Sequence, residues 1–267
     1  MIYLLLAKAE QLGLFDSIVH VAPHVRRDGT YVAAHERHQK VRQDDLFGHA
    51  EHGQQDAPAK AKARKLIDLL KFLHLQRVKG FAPPGDEPFM DGPGIERFRA
   101  EASRARSYVE FGSGGSTVYI DRLGIPAISV ENDPFYAQAV AARLRNGSVL
   151  QRVIRMGLTQ AWGVPLFPKP QRAKAYVTAP WDLAPFPDLI LVDGRYRVAC
   201  ALEAARRAHA AGVTATLMFD DYATRPHYHL VERHIGSPEN AGRTALFRIG
   251  SDGVAEADVE PWLHDWR

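Results

Sequence analysis

From about residue 95 onward the chain alternates amphipathic segments with short apolar runs, and that alternation admits few folds. Ile95, Phe98, Ala102 and Ala105 recur at helical spacing and lead into the strand-like run Tyr108-Val109-Glu110-Phe111. A helix is expected over 116–123, a strand over 127–130, and a helix over 134–145 with Pro134 in its first turn. Residues 149–156 read as a strand, and Leu189 to Val192 form a wholly apolar one. An alanine-rich helix follows over 198–211, then a strand over 214–219. The last strands are expected at 230–235 and 245–249, joined through 237–242. Strands alternating with helices imply a mainly parallel sheet covered on both faces, the doubly wound α/β class.

The first 90 residues have a different character. They hold seven of the nine lysines and seven of the twelve histidines, although the whole chain carries a formal charge of only +3. So small an excess does not by itself point to nucleic acid, which needs a concentrated basic face. Residues 17–37 form two β-rich runs around Asp28-Gly29, a hairpin signal. A polar loop is expected over 43–58 and a helix over 60–79, ended by Gly80 and Pro83-Pro84-Gly85. His20, His24, His35, His38, His49 and His52 lack a completing acid or cysteine pattern and read as surface histidines. The expected organisation is an N-terminal α+β extension over 1–90, of unassigned role, and an α/β domain over 91–267. A single cysteine, Cys200, excludes an intrachain disulfide and points to a reducing compartment such as the cytoplasm. The longest apolar stretches fall well short of the roughly 18 residues of a membrane span. An oligomer of identical chains is compatible with this composition.

In a doubly wound sheet ligands bind beyond the carboxyl ends of the strands. The chemistry-bearing residues of this chain fall at those ends: Glu110, Gly112, Ser113, Gly114, Gly115 and Ser116, then Glu131-Asn132, Asp193 and Asp220-Asp221. Glycines allow backbone to approach a ligand closely, and an acid after the second strand can hold a ribose diol. A dinucleotide fold would place glycine where Thr117 stands and would need a substrate domain that does not follow the sheet. Glu110-x-Gly112-x-Gly114-x-Ser116 instead resembles motif I of the class I S-adenosylmethionine-dependent methyltransferases. Glu131-Asn132 resembles that family's ribose-binding acid, and the run from Asp188 to Asp193-Gly194 its motif IV. The resemblance covers residues 95–267. It implies a seven-stranded Rossmann-like sheet with an antiparallel final strand, and S-adenosylmethionine as cofactor. After the third strand the family often carries an acid or polar residue for the adenine amine; here stand Arg155-Met156-Gly157-Leu158-Thr159, which leaves backbone or Thr159-Gln160.

Asp193, Asp220 and Asp221 are expected to converge as the catalytic acids. Together they resemble the metal-assisted catechol-type O-methyltransferases, which implies a divalent cation such as Mg²⁺ on those three carboxylates, although the third position in that family is commonly Asn. The alternatives are base catalysis without metal by Asp193 or Asp220, and solvated capping acids. Arg195, Tyr222 and Arg225 are placed at the substrate mouth, with His227 and His229 on a following strand. Trp162 and Trp181 are read as loop packing and Cys200 as a small core residue. The expected reaction is O-methylation of a small or carbohydrate-like acceptor. A non-catalytic binding module on the same fold is the alternative from another class. A nucleic-acid methyltransferase ranks behind both, since no Asn-Pro-Pro-Tyr-like or cysteine-nucleophile motif stands at a strand end.

Overall fold

The computed structural model describes residues 67–251 and 253–267, and, before them, the backbone of four short strands. Two compact units are present: Met1–Ala82 with Gln160–Trp162, and Pro83–Thr159 with Gly163–Arg267. In the first, β1 (Ile18–Val21) pairs antiparallel with β4 (His35–His38), and β2 (His24–Val25) with β3 (Tyr31–Val32). Both pairings share one register, with Ile18 opposite His38 and Val25 opposite Tyr31. The Asp28-Gly29 turn, the side chains of the six histidines and the polar loop lie outside the described residues. Residues 67–74 are helical and widen into a π-helical turn, Leu75–Lys79, which stops at Gly80. Among the described residues no helix is long and apolar enough to cross a membrane.

The second unit is built on a seven-stranded sheet. Its strands are β5 (Tyr108–Phe111), β6 (Ala127–Glu131), β7 (Val149–Val153), β8 (Leu189–Val192), β9 (Ala215–Phe219), β10 (Glu239–Ala241) and β11 (Thr244–Ile249). They lie in the order β10-β11-β9-β8-β5-β6-β7. All pairings are parallel except those of β11, which runs antiparallel to both β9 and β10. The helices are α1 (Gly92–Ala102), α2 (Gly115–Leu123), α3 (Pro134–Ala141), α4 (Pro170–Thr178), α5 (Arg197–Ala210), α6 (Glu232–Ile235) and α7 (Glu256–Val259).

The two-residue period of the strands divides the core between the faces. Val109, Phe111, Ile190, Val192, Leu217 and Phe219 point into one cluster with α4 and α5, where Cys200 is a buried filler as expected. Tyr108, Leu189, Leu191 and Met218 point into the other with Phe98 and Ile120 of α1 and α2. Glu110 shares the face of Tyr108, which directs its carboxylate toward α2.

Two expectations are corrected. Residues 230–235 are not a strand. Pro226–Val231 is a 3-10 helix running into α6, so His227 and His229 do not alternate on a strand. Buried Tyr228, Val231 and Ile235 recur at helical spacing, and that stripe decides the element. Helix α3 ends near Ala141 rather than 145, because the amides of Arg145 and Asn146 both donate to buried Asp121 (2.6 and 3.0 Å) and draw the chain off the helix axis.

Candidate active site

Glu110 is a brace. Its buried carboxylate accepts from Tyr108 Oη (2.9 Å), from Ser116 Oγ (2.7 Å) and from Thr117 Oγ1. Burial raises its pKa, opposed by those hydroxyls. Thr117 Oγ1 also accepts from the amide of Gly114 (2.8 Å). Residue 117, where a dinucleotide fold places glycine, thus ties the loop to the strand, and neither side chain reaches out to a ligand.

The loop itself is shaped by its glycines. Gly112 has φ +95°, and a Cβ there would lie 2.8 Å from the Cα of Gly194. A Cβ on Gly115 would collide with the carbonyl oxygen of Glu87. At Gly114 the nearest neighbour to such a carbon would be Tyr136 Oη, 3.8 Å away, so the loop is open at this position. Ser113 turns inward, its hydroxyl 2.8 Å from that of Ser129.

Glu131 closes the end of β6. Oε1 accepts from the amides of Asn132 (2.7 Å) and Asp133 (2.9 Å), and Oε2 from the amide of Ser113 (3.1 Å). Burial pushes its pKa up to about 7. The bond to Ser113 joins the second strand end to the glycine loop and leaves Oε2 a lone pair. Asn132 Nδ2 donates to Gly163 O (2.5 Å), and Asp133 caps α3 through Phe135 N and Tyr136 N.

Sheet register assembles the acids. Asp193 N donates to Phe111 O (3.0 Å) and Asp220 N to Val192 O (3.1 Å), so Asp193 and Asp220 stand on adjacent strand ends. Carboxylate oxygens of Asp193, Asp220 and Asp221 lie within 4.8 Å of one another. Three arginines balance them. Arg197, 3% exposed, reaches Asp193 Oδ1 (2.9 Å) and Asp221 Oδ2 (3.3 Å), and also donates to the carbonyls of Asp193, Gly194 and Asp220. Arg225 pairs with Asp221 (2.8 Å), and Arg243 with Asp220 (3.1 Å) and Asp221 (3.4 Å). Thr244 Oγ1 donates to Asp220 (2.8 Å), whose side chain is buried. Asp193 is the most accessible of the three, its side chain 30% exposed. Partial burial and the neighbouring Asp220 push its pKa up to about 7.

The fold has a solved counterpart. A methyltransferase-like protein of Silicibacter pomeroyi DSS-3 shares 31% sequence identity with the chain, at a TM-score of 0.59, over 68% of this chain and 98% of its own. The chain belongs to the class I methyltransferase family. Two further solved structures are fainter likenesses: a cofactor-bound protein from MTB (17% identity, TM-score 0.42, 80% of this chain and 100% of that one) and an O-methyltransferase family protein from Burkholderia thailandensis (11%, 0.36, 80% and 64%). No protein-family profile and no curated protein matches the chain.

In this methyltransferase the open edge at Gly114 and the acid at the next strand end fit a nucleoside cofactor. The acidic trio does not fit a divalent cation. Every carboxylate already faces a guanidinium, and a cation placed among them would meet three positive charges. Tyr222, expected at the substrate mouth, is a core residue: its ring packs edge-on against Phe219 and Phe247, and its hydroxyl donates to Glu232 (2.7 Å). Trp181 stacks on Phe186 (5.9 Å) as loop packing, as expected, while Trp162 is 44% exposed. Arg243 and Thr244 were not among the expected site residues. The signal lies in Gly242, whose φ of +63° makes the β10–β11 turn that swings Arg243 onto Asp220.

Proposed function

We propose that this methyltransferase takes its methyl group from S-adenosylmethionine and transfers it to an oxygen of a small or carbohydrate-like acceptor. The observation that carries this reading is Asp193: an accessible carboxylate with a pKa near 7, on the strand end beside the glycine loop. Gly112, Gly114 and Gly115 would border the cofactor, with Glu131 and Asn132 on its ribose side. When bound, the sulfonium supplies an electrophilic methyl carbon. Asp193 would accept the acceptor's hydroxyl proton as the oxygen lone pair took the methyl carbon, the electrons of the carbon–sulfur bond leaving with the thioether. Arg197 holds Asp193 in place through both its carboxylate and its carbonyl, which makes Arg197 a positioning residue. Arg195, two residues after Asp193, and Arg225, paired with Asp221, would be the cations nearest an acceptor.

The experiment is transfer of a tritiated methyl group from S-adenosylmethionine to a panel of hydroxyl acceptors. Asp193→Asn is expected to slow transfer about 100-fold or more, the usual contribution of a positioned base, while cofactor affinity is retained. Unimpaired transfer by that variant would contradict the assignment.

A further inference from the structure

At the strand-end corner Asp193, Asp220 and Asp221 match Arg197, Arg225 and Arg243 one for one. Arg195 is the surplus. It follows Gly194, three residues beyond the end of β8, and is 9% exposed. Its Nε is buried without a hydrogen-bond acceptor, and among the described residues no carboxylate pairs with its guanidinium. Its electrostatic neighbours are Arg197, Tyr228, Tyr176 and Asp193, and Asp193 is already held by Arg197. Burial and Arg197 lower its pKa to about 10, so it remains charged at neutral pH. A buried guanidinium donor left without an acceptor costs folding free energy, and a ligand carboxylate would fill it.

We infer that Arg195 is the receptor for a carboxylate delivered by a ligand, with the planar fork of the guanidinium taking both oxygens. The inference rests on the proposed methyl-transfer reading, because two ligands of that reaction could bring a carboxylate to this corner. One is the amino-acid end of the cofactor and the other is the acceptor. Arg195 follows Gly194, whose backbone lies against Gly112 of the glycine loop, and stands two residues after Asp193, so both ligands are tested as the source.

The test compares wild type, Arg195→Met and Arg195→Lys by calorimetric titration with S-adenosylhomocysteine and with methylthioadenosine, which lacks the amino-acid end. If the cofactor is the source, the Met variant binds S-adenosylhomocysteine about 10- to 100-fold more weakly, the loss expected for a charge-assisted pair. Methylthioadenosine affinity then stays unchanged, and Lys restores part of the difference. If the acceptor is the source, both nucleosides bind alike in all three proteins. Acetate then raises the melting temperature of the S-adenosylhomocysteine-saturated wild type above that in chloride at equal ionic strength, and the Met variant loses this response. Equal nucleoside affinities with no acetate response would overturn the inference. A structural role for Arg195 makes its own prediction, a lower melting temperature in Arg195→Met. A ligand-receptor role predicts that the free variant melts at or above wild type, because an unpaired buried charge is gone. Failure of wild type to bind either nucleoside would instead count against the methyl-transfer reading itself.

Discussion

Gly112 and Gly194 meet backbone to backbone, at the ends of two neighbouring parallel strands. A Cβ on Gly194 would stand 2.8 Å from the amide nitrogen of Gly112 and closer still to Tyr176 Oη. Neither neighbour can give way, since one is main chain and the other belongs to a fully buried tyrosine. Gly194→Ala is therefore expected to destabilise the fold by about 1–3 kcal/mol through overpacking, read as a lower denaturation midpoint at unchanged slope. An unchanged midpoint would show that the two loops do not interlock.

Thr117 carries a second prediction. Thr117→Val keeps the shape of the side chain but removes one donor to Glu110 and the acceptor for Gly114 N. A loss of about 1–3 kcal/mol is expected for leaving buried polar groups short of partners, with Thr117→Ser restoring most of it. Equal stability of the Val and Ser variants would contradict the brace.

Glu131 predicts a pH dependence with a definite sign. Its pKa rises from 4.5 unfolded to about 7 folded, so between those values the folded state binds more protons than the unfolded one. The contribution of this group to stability is complete below about pH 4.5 and is lost as pH rises through 7. Glu131→Gln removes it. The stability of the variant relative to wild type is expected to rise between pH 5 and pH 8, by at most roughly 3 kcal/mol, in urea titrations at both pH values. A relative stability that falls over that range would reverse the sign and reject the assignment.

The acidic trio gives a fourth. Because Arg197, Arg225 and Arg243 already neutralise it, methyl transfer is expected to be insensitive to chelators, and Mg²⁺ titrated into the protein should give no binding heat. Saturable Mg²⁺ binding lost in Asp220→Asn would show that the arginines yield to a cation.

Much of this architecture was legible in the chain. A wholly apolar run such as Leu189–Val192, bounded by Asp188 and Asp193, reads as a central strand, and the acids that follow such strands inherit adjacent positions from parallel register. The glycine loop and Glu131 were readable as one cluster for the same reason. The segment 230–235 was misread because a short apolar run fits either period, and only the burial of Tyr228, Val231 and Ile235 selects the helix. The role of Tyr222 depends on Glu232 and Phe247, and that of Arg243 on a two-residue turn. These are contacts that periodicity and motif spacing do not report. Part of the counter-charging of the trio was hidden too: Arg197 and Arg225 lie four residues from Asp193 and Asp221, but Arg243 lies 23 residues from Asp220 and touches it only once β11 has folded back along β9.

The central claim is that the glycine loop and Glu131 hold an adenosyl cofactor. Isothermal titration of S-adenosylmethionine and S-adenosylhomocysteine into wild type and Glu131→Ala tests it most directly. The account predicts saturable binding of both ligands by wild type and affinity at least about tenfold weaker in the variant, the scale of one lost hydrogen bond to a charged group. Binding of neither ligand by wild type, or equal affinity in the two proteins, would contradict it.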